Sequence, residues 1–255
     1  MGRIHTTRSA LLAGPAALLA ALLTAAAGAA PIAVPNASFE DPDVNDGQMF
    51  GALGPGDVTG WGPAFAGVGV SGGGVHDPQD SHYAGSTGDG TALPGDADQG
   101  QALFLQGTVA GNSESFVTLS DLATIAEDTT YTLTVAVGNP LDAEPGEVRL
   151  QILAAGGPVA TTFLDPGTLP DGTFTDVDTQ LVTGVGDPLA GLPLRVRVFQ
   201  LVSENELQIV HFDDVRLTTD AVVVPEPAGA WLLLAGGAAL LGAGRVRRRR
   251  RGPNG

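Results

Sequence analysis

The chain has no cysteine and no lysine among its 255 residues, and aromatic side chains make up 5% of it. Without cysteine no disulfide can brace the fold, so stability has to come from burial or from a bound metal. Eight of the twelve arginines fall before residue 9 or after residue 244. Residues 31–224 carry 27 Asp and Glu against Arg149, Arg195, Arg197 and Arg216, a balance of −23. Such a charge excludes ordinary phosphate-backbone binding, which draws its affinity from basic residues displacing counterions, and so excludes nucleic acid as a partner. It also attracts cations, although a solvated surface accounts for it equally well. Trp231 and Tyr131 fall in a C-terminal apolar stretch and on a strand's apolar stripe, which leaves Trp61 and Tyr83 as aromatic faces that a sugar could stack on. Trp61, set between glycines, reads as well as a plug beneath a loop.

Catalytic motifs are equally scarce. His76, His82 and His211 show no His-Glu-x-x-His spacing. Gly69-Val70-Ser71-Gly72-Gly73 has the form of a nucleophile elbow but runs into Gly74 and Pro78, where no helix can follow. The 27 acids single out no glycosidase pair. Asp41 to Gly47 approaches a calcium loop, yet its glycine is one residue late and its twelfth position is Ala52. These absences favour a protein that is not an enzyme.

Both ends carry targeting chemistry. Arg3 and Arg8, the apolar run Ala10 to Leu23 and the small residues Ala25 to Ala30 make a signal peptide over residues 1–30, with cleavage favoured after Ala29. At the other end Val224-Pro225-Glu226-Pro227 leads into an uncharged segment from Ala228 to Gly244, followed by Arg245 and Arg247, Arg248, Arg249, Arg250 and Arg251. Seventeen residues at the helical rise span about 25 Å, the lower limit for a transmembrane helix, and the arginines would hold the tail on the cytoplasmic side. Residues 31–223 form one domain between these segments.

From Gln101 that domain alternates with a period of two. Tyr131, Leu133, Val135 and Val137 share one face, as do Leu194, Val196 and Val198, while Thr132, Thr134, Arg195 and Arg197 take the other. Eight strands are predicted between Gln101 and Thr218, with loop and short strands before them and no amphipathic helix. The fold class is an all-β antiparallel β-sandwich, a jelly roll, flanked by the signal peptide and the transmembrane helix. Phe212 and Val215 break the alternation of the last strand, which predicts a bulge at Asp213-Asp214.

The ordered triple at the C-terminus resembles the PEP-CTERM sorting signal of Gram-negative bacteria. The resemblance implies processing by an exosortase after passage through the general secretion machinery and signal peptidase, a membrane-anchored precursor, and a mature form at the cell surface or outside. A plain membrane anchor is the alternative. Asn36-Ala37-Ser38-Phe39-Glu40, Gly60-Trp61, Thr129 to Val135, Gly138-Asn139 and Phe212 to Leu217 resemble the galactose-binding-like jelly rolls that include carbohydrate-binding modules. That resemblance implies a structural calcium between Glu40 and one of Asp213 or Asp214. The function expected is a non-catalytic surface or matrix protein, structural or adhesive within an exopolysaccharide layer. The alternative is a lectin-like module binding a polysaccharide.

Overall fold

The computed structural model describes residues 29–45, 47–50, 58–66, 71–78, 80–83, 100–107, 113–202 and 207–221. The predicted signal peptide and C-terminal tail lie outside them. The strands are β1 (Ala30–Ile32), β2 (Met49–Phe50), β3 (Gly62–Ala66), β4 (Ser71–His76), β5 (Ala102–Gly107), β6 (Ser113–Thr124), β7 (Thr129–Asn139), β8 (Glu147–Ala154), β9 (Gly157–Leu164), β10 (Thr173–Val182), β11 (Pro193–Val202) and β12 (Gln208–Ala221). Among the described residues the only helical turns are two 3-10 turns, Asp80–His82 and Pro166–Thr168. Over the described residues the fold is therefore all-β.

The strands form two antiparallel sheets. One runs in the order β10-β7-β12-β5-β4-β2, with β1 pairing the end of β12, and the other runs β3-β6-β11-β8-β9. Their inner faces share one core, as in a β-sandwich, because the apolar members of each alternation point the same way. Leu103, Leu105, Leu133, Val135, Val210 and Phe212 from the first sheet meet Val117, Leu150, Ile152, Val196 and Val198 from the second, all buried. On the outer face of the second sheet the Arg149 guanidinium lies over the rings of Phe163 and Phe199, 5.1 and 4.9 Å from their centroids.

Two irregular places shape the rest. The register of β12 against β7 shifts between Asp213 and Arg216, with Asp214 at a φ of 45°. This is the bulge that Phe212 and Val215 require, and both are buried on its two sides. The backbone N–H of Val215 donates to the carbonyl of Ala37 at 2.9 Å, which ties the opening turn to the bulge. The second is Ser71–His76, three consecutive glycines within the stretch expected to be loop and short strands. It is a strand because β5 pairs with it along its whole length, from Ser71↔Gly107 to His76↔Ala102. At Gly74 any side chain would strike the carbonyl of Phe50 on β2 and the ring of Phe104, so the glycine allows a close backbone approach. Ser71 thus opens a strand and no nucleophile elbow exists.

Candidate functional site

The alternation that fills the core leaves a second set of side chains on the outer face of the seven-stranded sheet. Pairings Gly74↔Phe104, Phe104↔His211, His211↔Gly138 and Gly138↔Phe174 draw one line across five strands from β4 to β10. Two residue pairs further along, on the same face, His76 lies opposite Ala102. The chain after β4 folds back through the turn Asp80–His82 and delivers Tyr83 onto this line. The turn is fastened by the N–H of Leu141, which donates to the carbonyl of His82 at 2.9 Å. Tyr83 stacks on Phe174 with ring centroids 4.8 Å apart. A Cβ at position 138 would lie 2.5 Å from the Tyr83 hydroxyl and 2.7 Å from the Phe174 ring, so only glycine leaves room for that pair.

The polar groups at this place form one hydrogen-bonded chain. The Tyr83 hydroxyl lies 2.6 Å from Nδ1 of His211, and Nε2 of His211 lies 2.9 Å from Nδ1 of His76. His82 packs beside His76, with ring centroids 5.5 Å apart, and its Nε2 is 3.5 Å from the carboxylate of Asp142. His76, His211 and Tyr83 are all buried. Burial, reinforced by His82, lowers the pKa of His76 to about 4. Burial, and then His76 and His82, holds His211 well below the usual histidine range. Burial raises the Tyr83 hydroxyl well above its usual value, with the charges of Asp142 and Asp213 adding to it. Near neutral pH the chain therefore consists of two neutral imidazoles and a protonated phenol.

These shifts have a consequence for stability. A histidine whose pKa is lower in the fold than in the unfolded chain, about 6.5, contributes stability above that value and loses it as pH falls toward the folded pKa, about 4 for His76. The melting temperature should fall steadily across that interval. The fall should be shallower in His76→Asn, and an equal slope in the variant would count against the assignment.

The other candidates from the sequence are placed as follows. Trp61 and Tyr83 are 2% and 5% exposed, so neither presents a face on which a sugar can stack. Glu40 accepts a hydrogen bond from Nε2 of Gln101 at 3.0 Å, and Asp214 pairs with Nε of Arg216 at 3.1 Å. Asp213 is buried, and its Oδ1 accepts from the N–H of Asp214 at 2.7 Å. Among the described residues no group of three or more His, Asp or Glu is placed to hold a metal ion. The sorting residues Val224 to Pro227, Arg245 and Arg247 to Arg251 lie outside the described residues. The assembly of His76, His82, Tyr83 and His211 was not evident from the sequence. Its one local signal is His211, which must face outward because Val210 and Phe212 on either side face the core.

Residues 30–218 match the model of the HpiC1-like family, described as HpiC1 cyclase. The chain belongs to this cyclase family. Solved structures of cyclases from Fischerella agree in fold. One, from Fischerella sp. TAU in complex with (3Z)-3-(1-methyl-2-pyrrolidinylidene)-3H-indole, is 20% identical at a TM-score of 0.59, covering 76% of this chain and 99% of that one. An apo cyclase from Fischerella sp. is 20% identical at 0.60, over 77% and 98%. A third, with 4-(1H-indol-3-yl)butan-2-one bound, is 20% identical at 0.59, over 76% and 100%. Among curated proteins none matches.

Membership in the HpiC1-like family corrects three expectations. The chain is a member of a cyclase family rather than a PEP-CTERM surface protein with a carbohydrate-binding-module-like domain. The family points to a catalytic function rather than a structural, adhesive or lectin-like one, and the expectation that the chain is not an enzyme falls with these. The physical reason is that the motifs behind them belong to the frame. Phe39 and Trp61 are core, and the Asp213-Asp214 step is the bulge, so they mark a sandwich architecture that serves many activities.

Proposed function

We propose that this protein is a cyclase that closes a ring within a small, apolar, indole-bearing molecule by general acid catalysis, with Tyr83 as the acid. The observation that carries the reaction class is the family match over residues 30–218. The indole is taken from the ligands of the Fischerella cyclases. Cyclisation of an unsaturated molecule rearranges bonds without loss of atoms, and the commonest way to start it is to protonate one end and make it electrophilic. Tyr83 is placed for that role by His211 at 2.6 Å, whose Nδ1–H can donate to the phenolate left behind and so offset the burial that raises the hydroxyl's pKa. The flanking aromatic ring of Phe174 offers a face to a developing cation. The test is incubation of the purified protein with a panel of 3-alkenyl indoles, followed by chromatography and mass spectrometry. A product of unchanged mass, new retention time and one fewer alkene in its NMR spectrum is expected. A panel member that binds saturably and is recovered unchanged would overturn the reading.

We also propose a structural calcium where the opening turn meets the bulge of β12. Supporting it is the gathering of hard oxygen donors at that end. Gln101 donates from its amide to Glu40 and to the carbonyl of Pro42, and Ala37 accepts from Val215 beside Asp213. Glu40 and Asp213 with carbonyl and amide oxygens suit calcium, whereas Asp214 is engaged by Arg216. Millimolar calcium should raise the melting temperature beyond a sodium control of matched ionic strength. A hundredfold excess over Kd corresponds to about 2.7 kcal/mol. Glu40→Gln should abolish the difference and Asp214→Asn should keep it. Equal calcium and sodium effects on the unaltered protein would remove the ion from the account.

We further propose, on the sequence alone, that residues 1–30 direct export and that the apolar segment 228–244 engages a membrane.

A further inference from the structure

We propose that His82, His76 and His211 form a proton relay between solvent at Asp142 and the buried hydroxyl of Tyr83. The inference rests on the reading of Tyr83 as the acid and supplies what that reading leaves open. The hydroxyl of a tyrosine buried to this extent, 5% exposed as a residue, must recover its proton after every turnover without ready access to bulk water. Imidazole can pass a proton along because it accepts at one nitrogen while releasing from the other. His211 is placed for this, since both of its ring nitrogens are hydrogen bonded, Nδ1 to Tyr83 and Nε2 to His76.

The path continues outward by the same chemistry. His76 stands on β4 and His211 on β12, with β5 between them, and the residue opposite His76 is the small Ala102, which lets the two rings meet across the intervening strand. The next ring, His82, stands beside His76. Its Nδ1 is buried and takes no hydrogen bond from the described protein groups. The step between these two rings runs from that nitrogen toward His76, across rings whose centroids stand 5.5 Å apart. At the outer end Nε2 of His82 faces Asp142, whose side chain is 55% exposed and in exchange with solvent.

The transfers balance at every atom. Before reaction the Tyr83 O–H points to the substrate, Nδ1–H of His211 donates to the Tyr83 oxygen, and Nδ1–H of His76 donates to Nε2 of His211. When Tyr83 gives its proton to the substrate, the His211 Nδ1 proton moves to the phenolate and the His76 proton moves to Nε2 of His211. His76 then takes a proton at Nε2 from Nδ1 of His82, which recovers one at Nε2 from solvent beside Asp142. Each buried histidine changes tautomer and stays neutral throughout, as its burial requires. At the end of ring closure the Tyr83 oxygen takes the proton the substrate loses while its own passes to Nδ1 of His211, and the chain runs in reverse to solvent, which restores the starting tautomers for the next turnover.

A network that merely fastened the turn Asp80–His82 to the sheet would show the same contacts but would not conduct. The two differ in how fast the ring N–H of buried His211 exchanges with water, measured on the whole 15N-labelled protein by transfer of magnetisation from water. If the relay operates, His82→Gln should slow that exchange about tenfold and Asp142→Asn about threefold, and free imidazole added to His82→Gln should restore it, as for a proton shuttle bypassed by a small buffer. Equal rates in the unaltered protein and both variants, at unchanged melting temperature, would overturn the relay. Because Asp142 is exposed, its variant preserves the test if His82→Gln does not fold. Tyr83→Phe separates this inference from the one it rests on. Loss of turnover there, with exchange at His211 still dependent on His82, supports both. Turnover that survives Tyr83→Phe removes the acid, and the relay's role in catalysis with it.

Discussion

Trp61→Ala is expected to lower the free energy of unfolding by about 3–5 kcal/mol, the cost of deleting a large aromatic from a packed core. The ring is 2% exposed and lies 5.1 Å from that of Phe39, which is itself fully buried. Its Nε1–H donates to the carbonyl of Asn36 at 3.3 Å. Phe39 sits at a φ of 58°, a strained conformation for a bulky residue that persists only while its neighbours hold it. Removing Trp61 therefore deletes apolar burial, takes one of two hydrogen bonds from the Asn36 carbonyl, which keeps that from the Phe39 N–H, and loosens the strained turn together. Trp61→Phe keeps most of the burial and should cost distinctly less. Urea unfolding of the two variants tests this, and a loss below about 0.5 kcal/mol in the alanine variant would show that the ring is dispensable to the frame.

Tyr83→Phe should reduce kcat by about 10²–10⁴-fold while leaving KM nearly unchanged, the range associated with removal of a positioned general acid. The aromatic ring is retained, so its stack on Phe174 and any apolar contact with substrate are preserved. What disappears is the O–H and its bond to Nδ1 of His211, a buried nitrogen then left without that partner. The associated loss of stability is about 1–3 kcal/mol, so activity must be read well below the variant's melting temperature. Single-turnover measurements separate the chemical step from product release. An unchanged single-turnover rate would move the acid to another group, with buried Asp213 the next to test.

Much of the frame was legible in the sequence because alternation is a strong signal wherever one face is buried. The faces expected at Tyr131 to Val137 and Leu194 to Val198 are the inner faces of β7 and β11, and the bulge followed from two apolar residues an odd distance apart. β4 was missed because glycine carries no pattern, and its strand state is imposed by β5 and by the backbone of Phe50. The site was illegible for a different reason. His76 and His211 are separated by 135 positions, and only the strand order β4-β5-β12 brings them together. His82 and Tyr83 gain their support from outside their own segment, from the N–H of Leu141 and the space left by Gly138. The short motifs that were legible described the scaffold, which is why they pointed to the right architecture and the wrong activity.

The line Gly74, Phe104, His211, Gly138, Phe174 has a consequence for how such a protein changes over time. Each of these residues sits between two neighbours that face the other way, so β12 offers Val210 and Phe212 to one side and His211 to the opposite one. A strand is in this sense two interleaved texts, one composed for packing and the other open to revision. Selection on the outward text can exchange an imidazole for a carboxylate, or a phenyl for a smaller group, without disturbing a single inward contact. Descendants of one such frame can therefore diverge in the molecules they cyclise while remaining superimposable, with the novelty concentrated in every second letter.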